Sequence, residues 1–539
     1  MCFCSIIKLL KNFTFFVIIY ISKNIFIKIK KYAVNNDGGM ENIMSEITKV
    51  LAFDFGASSG RAMLFQFDGE KITIDEIHRF SNDPVTVNGD MYWDFLRLFF
   101  EIKQGILKCI NGGHADISAI GIDTWGVDYG FFDKNGKLLG NVRHYRDTRT
   151  NGMIEKAAER VGGKKYIYEQ TGIQFAQLNS LYQMYSSVLD NDPTLANADK
   201  VLFAPDIFNY FLTGVMKNEY TMASTTQLLD PYTKNWNFDF IEKMGIPTNI
   251  FCDIVQPGTV IGTLSDEICE ELGCPKVPVI AVAAHDTASA VASVPALSGD
   301  DYVYISSGTW ALLGVENDQP IINDTAMKFN FTNEGGVGGK IRFLRNIMGL
   351  WIIQESRRQW QREGKDYSFN DLEQQAWAAT PFASLIDPDY GKFGVPGNMP
   401  KRIKEFCKET GQTVPETPGD VIRCAAQSLA LKVAMSVDGM EETLGRKINK
   451  IHMVGGGIKD SMVCQFIANA SGRTVIAGPV EATSTGNAIV QFIALGKIKD
   501  LTAARAIIKD SFPVKIYEPQ DQEDWQKAYE KFKGLAKMS

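Results

Sequence analysis

A pattern of strand, small polar turn and strand occurs twice in this chain, and few architectures accommodate it. Val50-Leu-Ala-Phe-Asp54 is an apolar run that reads as a buried strand. Gly56-Ala-Ser-Ser-Gly60 follows as a turn, and Arg61–Phe67 is a second apolar run closed by Asp68-Gly69. About 250 residues later, Tyr302–Ile305, the hydroxyl-rich Ser306-Ser-Gly-Thr309 and Trp310–Val315 repeat that outline. The likeness is one of pattern rather than identity. It predicts two domains of one design, with Pro295–Gly299 as the break between them.

The rest of the pattern is mixed α/β. Ile72–Phe80 extends the first meander as a third strand. Phe95, Leu98, Phe99, Ile102 and Ile106 recur at helical spacing within Tyr92–Cys109. Ile117–Thr124 and Val277–Ala284 read as strands, the second continuing into a helix over Ala288–Ser293, and Asn135-Gly136 marks a hairpin after Phe131-Phe132. Near the end, strand Ile451–Val454, loop Gly455-Gly-Gly457 and helices over Met462–Ser471 and Ser484–Leu495 complete the outline.

Composition removes several classes. The 539 residues include 45% hydrophobic and 22% charged, a globular balance. A net charge of −7 disfavours binding nucleic acid by broad phosphate neutralisation. Nine scattered cysteines without C-x-x-C point to a reducing compartment. Five histidines without metal-ligand spacing disfavour a dedicated transition-metal site. Residues 1–34 differ from the rest: they hold six lysines and no acid, leaving −13 for the remaining 505 residues. The uncharged run Asn12–Ser22 has 11 residues, against about 20 for a membrane span, and no small-residue cleavage site follows. Residues 1–48 are read as a leader outside the fold. Translated upstream sequence, with the true start at Met40 or Met44, is favoured over a membrane anchor.

Four segments carry candidate chemistry. Asp54-Phe-Gly-Ala-Ser-Ser-Gly-Arg61 combines small residues, which let backbone N–H groups approach an anion, with donors on Ser58, Ser59 and Arg61. Asp54 at a strand end suits Mg²⁺ held through water. A tight hairpin without ligand explains the same residues. Gly56-Ala-Ser58-Ser-Gly60 fits G-x-S-x-G, but that elbow must run from strand into helix, whereas Ala62–Phe67 reads as a strand. Asp54-Phe55-Gly56 lacks the catalytic loop that accompanies D-F-G in protein kinases.

Asp123-Thr-Trp-Gly-Val-Asp128 ends an apolar strand, and Trp125 with Gly126 offers a sugar a stacking face and open backbone; a buried core Trp is the alternative. In His285-Asp286-Thr287, two ionisable residues end an otherwise apolar strand, where ligands gather in open α/β sheets. Asp286 is placed to act as a general base, or merely to cap the following helix. Gly455-Gly456-Gly457 sits between strand and helix but fails G-x-G-x-x-G at Asp460. Gly335–Lys340 fails a P-loop, with Glu334 and Ile341 at the wrong positions, and Gly335–Gly339 reads as a flexible loop.

Together these strings resemble the FGGY-type carbohydrate kinases from Lys49 to the end. Asp54–Arg61, Gly121–Asp128, Ala284-His-Asp-Thr-Ala-Ser-Ala290, Ser306–Trp310 and Phe343-Leu-Arg-Asn-Ile-Met-Gly-Leu-Trp351 stand in the family's order. The last string, continued by Gln354-Glu-Ser-Arg357, is most similar to members that phosphorylate L-rhamnulose. The resemblance implies a two-domain actin-like (ribonuclease-H-like) α/β fold with an active-site cleft between a sugar-binding domain, 49–295, and a nucleotide-binding domain, 296–539. It implies transfer of the γ-phosphate of ATP to O1 of L-rhamnulose with Mg²⁺. Ala57, Ser58, Ser59, Gly60, Arg61, Thr309, Asn346, Gln354 and Gly456 would contact ATP. Gly126, His285, Asp286 and Thr287 would hold the sugar, and Asp286 would be the base. A cytoplasmic enzyme acting on small molecules is expected, with no nucleic-acid partner, no membrane association unless the leader is real, and a monomer compatible with this reading. The rivals are a kinase for xylulose, fuculose or glycerol, a non-enzymatic actin-like ATP switch, and a serine hydrolase acting through Ser58.

Overall fold

A computed structural model describes residues 47–297 and 299–536. The leader reading lies outside these residues, except for Ile47 and Thr48. Among the described residues no helix is long and apolar enough to cross a membrane.

The repeated pattern becomes two sheets of one topology. In the first, β1 (Thr48–Phe55), β2 (Ser59–Phe67) and β3 (Ile72–Ser81) form an antiparallel meander, and β4 (Ala119–Thr124) and β5 (Pro278–Ala281) join the far side of β1 in parallel. In the second, β6 (Tyr302–Ser307) pairs with β7 (Trp310–Asn317), and β7 with β8 (Ile341–Met348), all antiparallel. On the other side of β6 lie β9 (Lys450–Val454) and β10 (Thr474–Ala477), in parallel. Both sheets therefore run third, second, first, fourth, fifth. Edge strands Thr259–Thr263, Thr332–Gly335 and Lys515–Tyr517 extend them. The repeat implied two domains of one design, and the arrangement is the actin-like one that the family resemblance implied.

Period-two alternation explains how each sheet buries both faces. Leu51, Phe53 and Phe55 of β1 pack with helix α1 (Phe95–Asn111) through Leu98, Ile102 and Ile106. The Asp94 carboxylate accepts from the Arg97 N–H and caps that helix. Val50 and Ala52 point the other way, onto Ala488, Ile489 and Phe492. Those residues belong to a helix from the far end of the chain, described next.

Two helices fill the space between the sheets: α2 (Asp286–Ala292) and, after α3 (Pro418–Leu444), α4 (Ala482–Ala494). Ala290, Val291 and Ala482 meet Tyr304 of β6, Leu344 of β8 and Val454 of β9. Ala292 joins Val50, Ala52 and Ala488 on the first sheet. A Cβ on Gly486 would lie 1.7 Å from the Ser289 carbonyl oxygen, so α2 and α4 touch backbone to backbone. The second sheet's outer core is covered by α3, which starts at a capping box between Thr417 and Asp420 and stops at left-handed Gly445.

Several boundaries differ from the sequence reading. The first turn ends at Ser58, because Ser59 already pairs with Ser81 and Gly60 with Phe55. The helix after His285 starts at Asp286 rather than Ala288. Gly335 is not in a loop: it closes the edge strand, and its N–H donates to Ser224 Oγ at 2.7 Å. The hydrophobic period carried no mark for that short polar strand.

Candidate active site

The carboxyl ends of β1, β4 and β6 and the start of α2 open into one cleft of about 370 Å³. Three small-residue turns line it: Gly56–Ser58, Ser306–Thr309 and Gly455–Gly456. Of the residues singled out from sequence, Asp54, Ala57, Ser58, Arg61, Gly126, His285, Asp286, Thr287, Thr309, Asn346 and Gly456 all face this space. Ser59 and Gly60 do not line it, since they are the first residues of β2. Gln354 stands behind Thr309, whose hydroxyl donates to its Oε1 at 3.3 Å. Because β2 continues as a strand, Ser58 has no nucleophile elbow.

Register sets the electrostatics. Asp54 lies opposite Arg61 on β2 and beside Asp123 on β4. Arg61 Nη2 donates to Asp54 Oδ2 at 2.7 Å, and its Nη1 pairs with Glu481. Ser484 Oγ also donates to Asp54 Oδ2, at 3.0 Å, and Asn487 Nδ2 to Asp123 Oδ2 at 2.7 Å. Asp123 Oδ1 is buried without a hydrogen-bond partner. Burial, then the neighbouring Asp54 carboxylate, pushes Asp123 well above the usual carboxylate range. The same two causes, in the same order, raise Asp286 to about 7.

Asp286 is not the helix cap: His285 holds the N-cap position and Asp286 is the first helical residue. Its Oδ1 accepts from the Thr287 N–H at 2.6 Å and the Thr287 hydroxyl at 3.3 Å. No protein donor to Oδ2 is seen among the described residues, so that oxygen is left for a ligand. His285 places Nε2 3.3 Å from Asp286 Oδ1. A Cβ on Gly126 would approach His285 Nε2 and Thr225 Oγ1 to 3.3 Å each, so glycine keeps this wall open. The next residue, Val127, has φ +71°, a left-handed conformation that costs a β-branched side chain about 1–3 kcal/mol. Its N–H donates to Thr225 Oγ1 at 3.2 Å, which holds the strained loop in place.

Trp125 is the buried core residue of one sequence reading, and it also borders the cleft, as the other requires. It is 5% exposed and packs on Trp93 with ring centroids 4.2 Å apart, yet it lines the cleft. Both indoles donate to Asp128 Oδ2, at 2.6 Å from Trp93 and 2.9 Å from Trp125. Burial still raises Asp128 to about 6.

Sequence reasoning missed Glu481, Ser484 and Asn487, which arrive from over 350 residues away to complete the β1–β4 corner. A signal existed: Ser484, Asn487 and Gln491 form a polar stripe at i, i+3 and i+7 on a helix whose second half is otherwise apolar. Gln174 was also missed. Its Oε1 accepts from Asn346 N at 3.2 Å and Nδ2 at 3.0 Å, bridging the two halves. No local pattern announced it.

Comparison with known proteins agrees with this geometry. Residues 49–293 match the N-terminal domain of the FGGY family of carbohydrate kinases, and residues 303–495 match the C-terminal domain. The chain is 42% identical to a protein named rhamnulokinase from Bacteroides thetaiotaomicron, over 90% of this chain and 99% of that one. It is 43% identical to one of the same name from Oceanobacillus iheyensis, over 87% and 97%. Among solved structures, a xylulose kinase from Lactobacillus acidophilus superposes with a TM-score of 0.77 at 18% identity, over 90% of this chain and 97% of that one. A glycerol kinase from Plasmodium falciparum with ADP gives 0.72 at 15%, over 91% and 98%. At such identities the solved structures speak for the fold alone, but the sequence relatives and the two domain matches go further: this chain belongs to the FGGY family of carbohydrate kinases.

Proposed function

We propose that the protein transfers the γ-phosphoryl group of ATP to O1 of L-rhamnulose, giving L-rhamnulose 1-phosphate and ADP. The observation that carries this reading is Asp286: a half-buried carboxylate with one oxygen left for a ligand, in a cleft walled by three small-residue turns. The relatives named rhamnulokinase support the choice of sugar.

Phosphoryl transfer asks for positioning and charge stabilisation more than covalent chemistry. In this reading, Trp125, Gly126, His285 and Thr287 hold the ketose so that its O1 hydroxyl meets Asp286. Asp286 accepts the O1 proton as the O1–phosphorus bond forms. The bond between the γ-phosphorus and the bridging oxygen breaks, and ADP leaves. The turns at Ala57–Ser58, Ser306–Thr309 and Gly456 bring backbone N–H groups to the phosphates, and Arg61 supplies a fixed cation. A pKa of about 7 suits Asp286 to give and take a proton near neutrality.

The site also fits Mg²⁺. Asp54 and Asp123 stand side by side, and the buried, unpartnered Asp123 Oδ1 is a hard oxygen donor. Among the described residues no three acidic, His or Cys side chains are grouped to ligate a metal by themselves, so the ion would keep water ligands there. When bound, Mg²⁺ would neutralise phosphate charge. Nine scattered cysteines without C-x-x-C favour a reducing, cytoplasmic setting.

A coupled ADP-release assay over L-rhamnulose, L-fuculose, D-xylulose and glycerol tests the assignment. L-Rhamnulose is expected to give the highest kcat/KM. A methyl group is worth only about 1–3 kcal/mol in a pocket, so other ketoses should react slowly rather than not at all. Xylulose or glycerol ahead of rhamnulose would overturn the sugar and leave the kinase.

A further inference from the structure

One buried cation behind the cleft wall has no part in the chemistry above. Arg342 on β8 is fully buried, and directly across the strand pair stands Glu334. Arg342 Nε donates to the Gly335 carbonyl at 2.7 Å, which fixes the plane of the guanidinium. Its Nη2 lies 3.2 Å from Glu334 Oε2 and 3.1 Å from His285 Nδ1. His285 belongs to the segment after the first sheet, so this contact joins the two sheets' halves.

The chemistry of the pair decides the imidazole. A guanidinium carries donors only, so His285 Nδ1 must accept. Glu334 Oε2, the competing partner, is farther from Nδ1, at 3.5 Å, and is already held by Arg342. The ring proton then sits on Nε2, which faces Asp286 Oδ1 at 3.3 Å.

We propose that Arg342 is a positioning residue for proton transfer: it holds His285 as the neutral Nε2–H tautomer, whose N–H keeps the Asp286 carboxylate turned toward the sugar. This rests on the reading of Asp286 as the base. Burial, then the Arg342 charge, keeps His285 well below its ordinary pKa, in agreement with a neutral ring. The other ionisable groups near the pair are Glu334 on the edge strand, Glu219 under Ala284, Tyr220 beside Gly335, Tyr304 of β6, and Asp54 and Asp123 of the first sheet.

The test is ¹³C,¹⁵N-histidine NMR of the full chain between pH 5 and 8. The chain has five histidines, and the His285 signal is identified by its loss in H285Q. The wild type is expected to show Nε2–H without titration in that range. Arg342→Gln should bring His285 titration into the range or mix its tautomers, and lower kcat at least tenfold with KM for ATP changed less than twofold. Arg342→Lys keeps a charged donor and should restore the tautomer and part of kcat. An Nδ1–H tautomer in the wild type overturns the proposal, and this spectrum is decisive even if Arg342→Gln fails to fold. An unchanged His285 signal and unchanged kcat in a folded Arg342→Gln would overturn it as well. If Asp286→Asn were instead fully active, the base assignment would fall while the wild-type tautomer still reported on Arg342.

Discussion

At the scale of single residues, Asp286 separates chemistry from folding. Asp286→Asn keeps the shape and removes the basicity. A placed general base contributes about 10²–10⁴-fold, so kcat should fall by that factor with nucleotide affinity nearly unchanged. Asn keeps an Oδ1 that can accept from the Thr287 N–H, so the first-turn bond need not be lost. Stability should move the other way. The folded-state pKa of about 7 lies above the ordinary carboxylate value, so the native state binds the extra proton between about pH 4 and 7. Stability therefore falls as pH rises through that window, and the full cost of the buried charge is present above it. Asp286→Asn escapes that cost, so its Tm at pH 8 is expected to equal or exceed that of the wild type, the gap closing toward pH 4. Wild-type kcat/KM should rise with pH through about 7 as the base ionises. Kinetics and melting curves of both proteins across pH check this; near-wild-type kcat in the variant would remove Asp286 from the chemistry.

At the scale of elements, the α2–α4 contact sets where the acidic residues sit. α2 begins with Asp286, and α4 brings Ser484 and Asn487 to Asp54 and Asp123. Both depend on a backbone approach that only glycine at position 486 permits. Gly486→Ala would push against the Ser289 carbonyl, and overpacking of this kind costs about 1–3 kcal/mol or more. A lower Tm and a reduced kcat are expected together. Gly534 is the matched control: it lies in the helix Gln522–Leu535 with open space where a Cβ would go, so Gly534→Ala should be neutral or slightly stabilising. Equal Tm and kcat for both variants would contradict the packing account. These elements also show where sequence reading succeeds. Apolar runs that stop at Asp54, Asp123 and His285-Asp286 were legible because a buried run that stops at a charge is a local signal, although the last of these is strand only over Pro278–Ala281. Glu481, Gln174 and the Glu334–Arg342 pair were not, because each gains its role only from segments remote in the chain. Glu334 drew notice merely as the residue that spoils a P-loop.

At the scale of the molecule, two sheets of one topology flank the cleft, and each contributes turns to it. We propose residues 49–295 and 296–539 as the two lobes, with α4 of the second packed on the first sheet. Polar bridges such as Asn346 to Gln174 and Arg342 to His285 span the cleft. Closure on both substrates would exclude water, so that a sugar hydroxyl rather than water takes the phosphate. Small-angle scattering should show compaction when L-rhamnulose and a non-hydrolysable ATP analogue bind together, and an unchanged profile would argue against a clamp. The claim at the centre of the account is the reaction itself, and the product reports on it directly. With L-rhamnulose, ATP and Mg²⁺, ³¹P-coupled ¹³C NMR of the product should show a single phosphate ester on C1, formed in equal amount to ADP. An ester on another carbon, or ADP release at the same rate with and without the sugar, would contradict it.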